Sequence, residues 1–308
     1  NFENYISILN LFELTLRFNG FPIAEAKKRL KKIQNIPEKA YEKYICDARR
    51  EIVDFHLSEN PFYKSFVGEK AMSNWAEVPI LQKKDLQKPL AQRLSYGFTP
   101  KNGYVNKTSG SSGHPFIFAK DKACHALSWA EFIDRYSWFN IDLSTSLQAR
   151  FYGIPLDTIG YQKERLKDLL GNRYRFSIFD LSDEKNEQFL KTFRRKKFDY
   201  MNGYTSSIVL FAKFLKKKNI VLTDICPSLK YCIVTSEMLY ADDKELLKTT
   251  LGIPVINEYG ASELGLIAFT NSEDEFIVNS EALYVEILDK NNTPVPNGQS
   301  GRICITSL

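Results

Sequence analysis

The pattern of hydrophobic and polar positions changes near residue 100 of this 308-residue chain. Before that point apolar residues recur with helical spacing, as at Ile45, Ile52, Val53 and Phe55 within a helix expected over residues 37–57. Four prolines then interrupt the sequence between residues 61 and 100. We therefore expect a mostly helical N-terminal segment over residues 1–100, packed on the rest of the chain.

Beyond residue 100, short strand-like runs alternate with helical patterns up to about residue 263. A strand is expected over 147–152, a helix over 162–170 that Gly171 closes, and a further strand over 175–179. This alternation predicts an α/β core with layers of helices on a largely parallel sheet, over residues 101–263. Strand-like runs without helices between them follow, and they predict a smaller β-rich subdomain over residues 264–308. The other expected elements are strands at 104–108, 198–201, 229–234, 254–257, 264–270, 276–278, 282–288 and 301–306, and helices at 120–139, 183–194, 205–217 and 242–250.

Composition narrows the class of protein. Apolar residues make up 44% and charged residues 26%, which excludes a disordered chain and a collagen. Apolar runs stay below the roughly 18 residues of a membrane-spanning helix, so we expect no membrane insertion. The 42 basic and 37 acidic residues give a mild net charge of +5, and no nucleic-acid-binding motif is recognised, so we expect no nucleic-acid partner.

The five cysteines and three histidines do not form a recognisable site. The cysteines are odd in number and loosely spaced without a C-x-x-C pair, which argues against a zinc or redox motif and favours a reducing, cytoplasmic location. Cys124 and His125 are neighbours in sequence, but catalytic pairs meet in space rather than along the chain. We therefore assign no chemistry to them.

A loop rich in serine and glycine follows the expected strand 104–108. Two glycines three residues apart permit positive φ and expose amide donors, and hydroxyl groups add further donors, so the loop suits a polyphosphate. It lacks the G-K-[ST] ending of a Walker A loop and the spacing of G-x-G-x-x-G or G-x-S-x-G. A flexible linker is the plainer alternative, although a linker rarely leads into an apolar run such as 116–118, and a serine hydrolase using Ser111 or Ser112 is a weaker one. The loop residues are Thr108, Ser109, Gly110, Ser111, Ser112 and Gly113, and His114 follows.

A second polar segment follows the expected strand 254–257. Gly260 is expected to allow a sharp turn, Tyr259 offers a flat face for a ring, and Glu263 is a hard oxygen ligand suited to Mg²⁺ beside phosphates. The alternative is an ordinary turn at a strand end with one exposed carboxylate. The segment consists of Asn257, Glu258, Tyr259, Gly260, Ala261, Ser262 and Glu263.

A third polar segment, Ser236 and Glu237, ends the expected strand 229–234. In open α/β sheets, ligands bind beyond the carboxyl ends of the strands. Polar segments at three strand ends are therefore expected to line one crevice.

Together these segments resemble the adenylate-forming (acyl-CoA synthetase) superfamily. The loop at 108–113 is similar to its Ser/Thr/Gly phosphate signature, and residues 259–263 are similar to its Y-G-x-[ST]-E motif. Residues 203–206 (Gly-Tyr-Thr-Ser) and 236–237 look like intermediate markers of the family. The likeness covers about residues 75–308 and is greatest to the phenylacetate–CoA ligase branch, which includes capsule-biosynthesis proteins.

The resemblance implies the large N-terminal domain of the adenylate-forming fold and a two-step reaction. A small carboxylic acid attacks the α-phosphate of ATP to give acyl-AMP, and a thiol of CoA or of a carrier protein then takes the acyl group. Residues 108–113 would hold the β- and γ-phosphates; Ser236, Glu237 and residues 257–260 would line the adenine pocket, with Tyr259 stacking. Ser262 would contact the α-phosphate and Glu263 would position Mg²⁺. By position only, the acyl pocket would include Tyr152, Gly153, Tyr204 and Ala261.

The sequence departs from the family in three places. His114 stands where the family usually has a lysine, whose charge a partly protonated imidazole would replace only in part. Residues 264–283 contain neither Cys nor His, so the zinc cluster of some members is not expected. The chain ends at Leu308, before the family's small C-terminal domain with its catalytic lysine, so we expect it to bind ATP but to adenylate weakly. A catalytically inactive homologue that serves as a binding or scaffold module, in capsule or envelope biosynthesis, is the alternative, and a homodimer is compatible with either interpretation.

Overall fold

The computed structural model describes residues 11–68, 74–108, 115–154 and 157–308. Helices and strands alternate through the middle of the chain, as the sequence predicts. Within the described residues, no helix is both long and apolar enough to cross a membrane. The helices are α1 (Leu11–Phe18), α2 (Ile23–Gln34), α3 (Glu38–Glu59), α4 (Pro61–Val67), α5 (Lys122–Ser137), α6 (Thr158–Leu170), α7 (Asp183–Arg195), α8 (Thr205–Lys217), α9 (Leu222–Ile225) and α10 (Ala241–Leu251). The strands are β1 (Tyr104–Lys107), β2 (Ile117–Lys120), β3 (Gln148–Phe151), β4 (Arg173–Phe176), β5 (Tyr200–Tyr204), β6 (Tyr231–Thr235), β7 (Val255–Ala261), β8 (Gly265–Thr270), β9 (Phe276–Val278), β10 (Leu283–Leu288) and β11 (Arg302–Ser307).

The chain divides into two compact units. The first unit contains residues 11–20, Glu131–Ala261 and Ala268–Ile277, and the second contains Phe21–Ala130, Ser262–Ile267 and Val278–Leu308. The first unit carries the α/β core, whereas the second carries α2 to α4 and two antiparallel hairpins. The domain boundaries expected from the sequence remain a prediction.

A seven-stranded sheet with the order β4-β3-β5-β6-β7-β8-β9 organises the α/β part of the chain. The four neighbouring pairs from β4 to β7 are parallel. Parallel strands need crossover connections, and α6 to α10 supply them along the chain. The predicted α/β layering and the largely parallel sheet are therefore confirmed.

Phenylalanine side chains cover one face of this sheet. Phe151 and Phe176 stack at 4.9 Å between ring centroids, and Phe193 of α7 stacks on Phe176 at 5.0 Å with an interplanar angle of 6°. Phe211 of α8 joins them, and these rings are at most 1% exposed. Burying an aromatic side chain contributes about 1.5–3 kcal/mol, so this cluster fixes α7 and α8 on the sheet.

The opposite face of the same strands is polar and aromatic. Strand register pairs Gln148 with Tyr200, and Arg150 with Asn202. Because side chains alternate along a strand, these residues point away from the phenylalanine face. Tyr136, near the end of α5, packs edge-on against Tyr200 at 5.9 Å.

The second unit holds the two hairpins. Strands β1 and β2 pair antiparallel from Tyr104 opposite Lys120 to Lys107 opposite Ile117. Strands β10 and β11 pair along their whole length, from Leu283 opposite Ser307 to Leu288 opposite Arg302, and form the smaller C-terminal β-region.

Two expectations about strands were wrong. Strand β7 continues to Ala261 instead of ending at 257, because its pairing with β6 runs on through Thr235 opposite Glu258. Gly260 therefore lies within a strand, and the turn comes at residues 262–264. Strands β8 and β9 extend the large sheet, so among the strands after residue 263 only β10 and β11 form a sheet of their own. By contrast, α8 and β9 have the bounds that the sequence predicted, and Gly171 caps α6.

Candidate functional site

The carboxyl ends of β3, β5, β6 and β7 lie side by side in the first unit. Register places Phe151, Gly203, Val234 and Asn257 in one row across four strands. The next row contains Tyr204, Thr235 and Glu258. The structure thus brings together the strand ends before two of the three polar segments, those at 236–237 and 257–263. Strand β1, which precedes the Ser/Gly loop, belongs to a separate two-stranded sheet in the second unit, so a crevice lined by all three segments remains a prediction.

Tyr152, Gly153 and Tyr204 lie at the carboxyl ends of β3 and β5. The rings of Tyr152 and Tyr204 lie 4.8 Å apart between centroids. The carbonyl oxygen of Gly153 accepts a hydrogen bond from Arg175 Nη1 at 2.7 Å, and a Cβ on Gly153 would lie 3.2 Å from the ring of Phe179. Tyr152, directly after β3, and Tyr204, at the end of β5, therefore form an aromatic pair, and Gly153 follows Tyr152 along the chain.

Gly203 is required for the close approach of β5 to β3. A Cβ on Gly203 would lie 2.5 Å from both the Cβ and the carbonyl oxygen of Phe151. Separations below 3.0 Å force the backbone to shift, so only glycine fits between these strands. The glycine of the 203–206 marker is thereby explained by packing.

Ser236 and Glu237 are tied to the start of α8. The Glu237 carboxylate accepts a hydrogen bond from the Ser206 amide at 2.7 Å, and Thr205 Oγ1 donates to the carbonyl oxygen of Glu237 at 3.2 Å. A carboxylate at a helix N-terminus satisfies an orphan amide and is favoured by the helix dipole. Ser236 is exposed and has a φ of 70°, a left-handed conformation that serine rarely adopts.

The polar residues of β7 divide between the two faces of the sheet. Asn257 and Tyr259 share one face, and Tyr259 is 44% exposed, which leaves its ring accessible to a flat ligand. Thr270 Oγ1 accepts from the Asn257 amide at 3.1 Å and donates to its carbonyl oxygen at 3.0 Å. Glu258 alternates to the other face, so its side chain does not join those of Asn257 and Tyr259.

Glu258 is a buried carboxyl group on the polar face. It is 8% exposed, and Tyr136 donates a hydrogen bond to its Oε2 at 2.8 Å. Burial raises the pKa of Glu258, while hydrogen bonds from Tyr136 and Thr235 and the charge of Arg150 act in the opposite direction. Burial also raises the pKa of Tyr136 well above its ordinary value. Sequence reasoning missed Tyr136, because it lies in α5, outside all three motifs.

The second unit carries the base of the Ser/Gly loop. The Thr108 amide donates to the Phe116 carbonyl at 3.0 Å, and the Phe116 amide donates to Thr108 Oγ1 at 3.0 Å. The β1–β2 hairpin thus joins the residues that precede and follow the loop. This pairing disfavours the flexible-linker interpretation. Ser109 to Gly113 and His114, which were predicted to hold phosphate, lie outside the described residues.

A buried lysine lies close to the turn that follows β7. Lys120, at the end of β2, is 8% exposed, and its Nζ would lie 3.8 Å from a Cβ on Gly265, two residues after Glu263. Burial and the charge of Lys120 lower the pKa of His125 to about 4. His125 stacks on Tyr104 at 3.7 Å and accepts a hydrogen bond from Trp129, so it has a packing role. Lys120 is a further cation of this unit that sequence reasoning missed.

Ser262 and Glu263 occupy the turn between β7 and β8, where Ser262 is exposed and Glu263 is partly exposed. Within the described residues, Glu263 makes no salt bridge or side-chain hydrogen bond, so its carboxylate is available. No cluster of three or more metal-ligating side chains is found among them. One carboxylate beside phosphate and water oxygens is a common arrangement for Mg²⁺, so Glu263 fits that ion when nucleotide supplies the other ligands.

An ion-pair group joins α6 to β4 near the acyl-pocket candidates. Asp168, 2% exposed, accepts hydrogen bonds from Arg173 Nε and Arg175 Nε, both at 2.8 Å. Glu164 accepts from Arg175 Nη2 at 2.8 Å. Burial would raise the pKa of Asp168, but the hydrogen bonds and charges of Arg175 and Arg173 outweigh it and lower that pKa.

Comparison with known proteins shows the fold. The sequence matches no protein-family model and no curated protein. An open conformation of 2-hydroxyisobutyryl-CoA ligase, in complex with 2-HIB-AMP and CoA, matches 88% of this chain and 66% of its own, with a TM-score of 0.67 and 16% identity. The same ligase in its thioesterification state matches 88% and 61%, with a TM-score of 0.66 and 17% identity.

The chain therefore spans less than two thirds of the length of the ligase chains that it matches. At 16% and 17% sequence identity, the structural similarity establishes the fold of the chain. This chain has a mixed α/β architecture with a mostly parallel sheet and a small antiparallel C-terminal region. The chain has the adenylate-forming fold.

Proposed function

We propose that this chain is the large domain of an enzyme that activates a carboxylic acid with ATP as acyl-AMP and passes the acyl group to a thiol, with CoA as the first candidate. The observation that carries the proposal is the set of polar strand ends at 152–153, 203–206, 235–237 and 257–261, in a fold shared with a CoA ligase. Ligands of open parallel sheets bind at this edge.

On the nucleotide side, the exposed ring of Tyr259 would stack on adenine, with Ser236 and Asn257 beside it. Glu237 holds the start of α8 through Ser206 and would shape this pocket through the backbone. Glu258 would support the pocket from the opposite face of β7. Gly260 and Ala261 would let the nucleotide approach the strand closely, because their side chains are small.

On the phosphate side, the chemical problem is charge, because a carboxylate must approach a polyanion. Residues 108–113 would present amide and hydroxyl donors to the β- and γ-phosphates, and His114 and Lys120, which follow the loop in sequence, are candidates for positive charge. Ser262 would donate to the α-phosphate. Mg²⁺ held by Glu263 would neutralise phosphate charge when bound.

On the acyl side, Tyr152, Gly153, Tyr204 and Ala261 would hold the acid against the α-phosphate. The phenylacetate–CoA ligase branch remains the first comparison for substrate choice, on the strength of the sequence resemblance.

Calorimetric titration with Mg-ATP tests the nucleotide assignment. We expect binding in the micromolar to low-millimolar range that weakens about tenfold or more in Glu263→Gln, because a charge-assisted interaction is worth about 1.5–3 kcal/mol. Glu245→Gln, an exposed position on α10, is the matched control and should bind like the unmodified chain. Equal binding by Glu263→Gln would refute the metal role, and no binding by any form would refute the nucleotide site.

A further inference from the structure

Arg150 lies in the middle of the polar face of the sheet with few partners. Its position in β3 pairs with Arg175 on one side and with Asn202 on the other. Nη1 makes one long hydrogen bond, 3.4 Å to Gln148 Oε1. Nε is buried and has no hydrogen-bond partner in the described part of the chain, although the side chain as a whole remains partly exposed.

The surrounding charges are already engaged with one another. Asp168 bonds to Arg173 and Arg175, and Glu164 bonds to Arg175. Asn202 donates its amide to the carbonyl oxygen of Ile233 at 3.3 Å. No carboxylate of the described residues lies within 4.0 Å of Arg150.

Glu258 is another acid of this face, and its carboxyl group has other partners. Its carboxyl group is hydrogen-bonded to Tyr136 and Thr235. Its interaction with Arg150 is electrostatic only, without a hydrogen bond. A buried N–H group without an acceptor is costly, so the Nε–H group of Arg150 needs an explanation.

The position of Arg150 supplies that explanation. Its guanidinium lies 3.8 Å from the ring centroid of Tyr152, which in turn packs on Tyr204. The cation thus lies two rows below the aromatic pair that forms the candidate acyl pocket, on the same face of the sheet, and its fork of N–H donors matches an oxygen acceptor.

We infer that Arg150 determines the class of acid: the acyl chain carries a second oxygen acceptor, a carboxylate or a hydroxyl, that the guanidinium binds at the floor of the acyl pocket. This inference rests on the proposed function. A plain alkyl chain would leave the Nε–H group without an acceptor and would be disfavoured, because a site built to hydrogen-bond a group rejects the analogue that lacks it.

Binding of stable acyl-adenylate analogues tests this inference without turnover. The probes are 5′-O-(N-acylsulfamoyl)adenosines with butanoyl, 4-hydroxybutanoyl or succinyl groups, titrated calorimetrically into the unmodified chain and into Arg150→Met. We expect one oxygen-bearing probe to bind about ten- to a hundredfold more tightly than the butanoyl probe, and this preference to disappear in Arg150→Met. Arg195→Met, at an exposed position of α7, should keep it.

The outcomes separate the two proposals. A preference for succinyl identifies a carboxylate and a preference for 4-hydroxybutanoyl identifies a hydroxyl. Equal binding of all three probes, or a preference that survives in Arg150→Met, overturns the inference and leaves the proposed function standing. Failure of every probe to bind overturns the proposed function, and the inference falls with it. If Arg150→Met does not fold, Arg150→Lys is the second variant. It keeps the charge but not the fork of N–H donors, and it should show a reduced preference for the oxygen-bearing probe.

Discussion

Glu258 gives the stability of the chain a specific dependence on pH. Burial raises its pKa above the ordinary 4.5, so above pH 4.5 the unfolded chain releases a proton that the folded chain retains. The contribution of Glu258 to the free energy of unfolding therefore falls as the pH rises from about 4.5 to the raised pKa. Glu258→Gln, which keeps the shape of the side chain, should remove this decline, as chemical denaturation at a series of pH values would show.

The control for that experiment is Tyr136→Phe, which removes the hydroxyl group bonded to Glu258 at 2.8 Å. We expect it to lower the free energy of unfolding by about 1–3 kcal/mol, because a buried acceptor loses its partner. The decline should then extend to a higher pH, since the ionised carboxylate loses a donor and the pKa of Glu258 rises further. Identical pH profiles for the unmodified chain and Glu258→Gln would show that this carboxyl group titrates normally.

Two substitutions at Ser236 can distinguish a role of its hydroxyl group in nucleotide binding from a role of the residue in backbone conformation. Its φ of 70° is strained for any residue except glycine. Ser236→Gly should therefore be more stable than Ser236→Ala by up to about 1 kcal/mol, measured by thermal or denaturant unfolding. If the hydroxyl group contacts nucleotide, both variants should bind Mg-ATP more weakly than the unmodified chain. Unchanged affinity in both would remove Ser236 from the adenine pocket.

At the scale of elements, the contact of β3 with β5 depends on Gly203. Gly203→Ala would place a methyl group 2.5 Å from the backbone of Phe151 and should lower the free energy of unfolding by about 3 kcal/mol. Gly153→Ala is the matched control, because its Cβ would meet only the far end of the exposed Phe179 ring, at 3.2 Å. Similar unfolding midpoints for the two variants would contradict the close approach of the strands.

The attachment of α6 to β4 depends on Asp168. Asp168→Asn removes the negative charge that two arginines share, and we expect a loss of about 3 kcal/mol of stability at neutral pH, because buried partner charges remain. Since the folded pKa of Asp168 is lowered, its contribution is present above its ordinary value of 3.8 and is lost as the pH falls through the lower folded value. The variant should therefore resemble the unmodified chain only in strong acid, as unfolding curves at low pH would show.

The sequence predicted the positions of helices and strands better than it predicted which residues contact one another across them. Periodicity sufficed for α8, whose buried face is continuous from Ile208 to Leu215. It failed for β7, because pairing with β6 and burial of Glu258, not local propensity, carry that strand to Ala261. The motifs located the strand ends, but Arg150 and Tyr136 belong to no motif. Their importance comes from the alternation of side chains across neighbouring strands and from a helix that packs on them, and both become visible only with the register.

At the scale of the whole molecule, nucleotide binding and stability are linked. If the chain binds Mg-ATP, the ligand at a hundred times its Kd should raise the free energy of unfolding by about 2.7 kcal/mol. Tyr259→Ala should leave the unliganded stability almost unchanged, because the ring is 44% exposed, but should weaken nucleotide binding by about 1–3 kcal/mol through loss of stacking. Tyr240→Ala, another exposed tyrosine of the first unit, serves as the control and should retain the full stabilisation. Unfolding followed with and without Mg-ATP measures both effects together. A loss of stabilisation in Tyr259→Ala alone supports a base-stacking surface on β7, whereas equal stabilisation of all three proteins would place the nucleotide away from the strand ends and would require a different site for the proposed reaction.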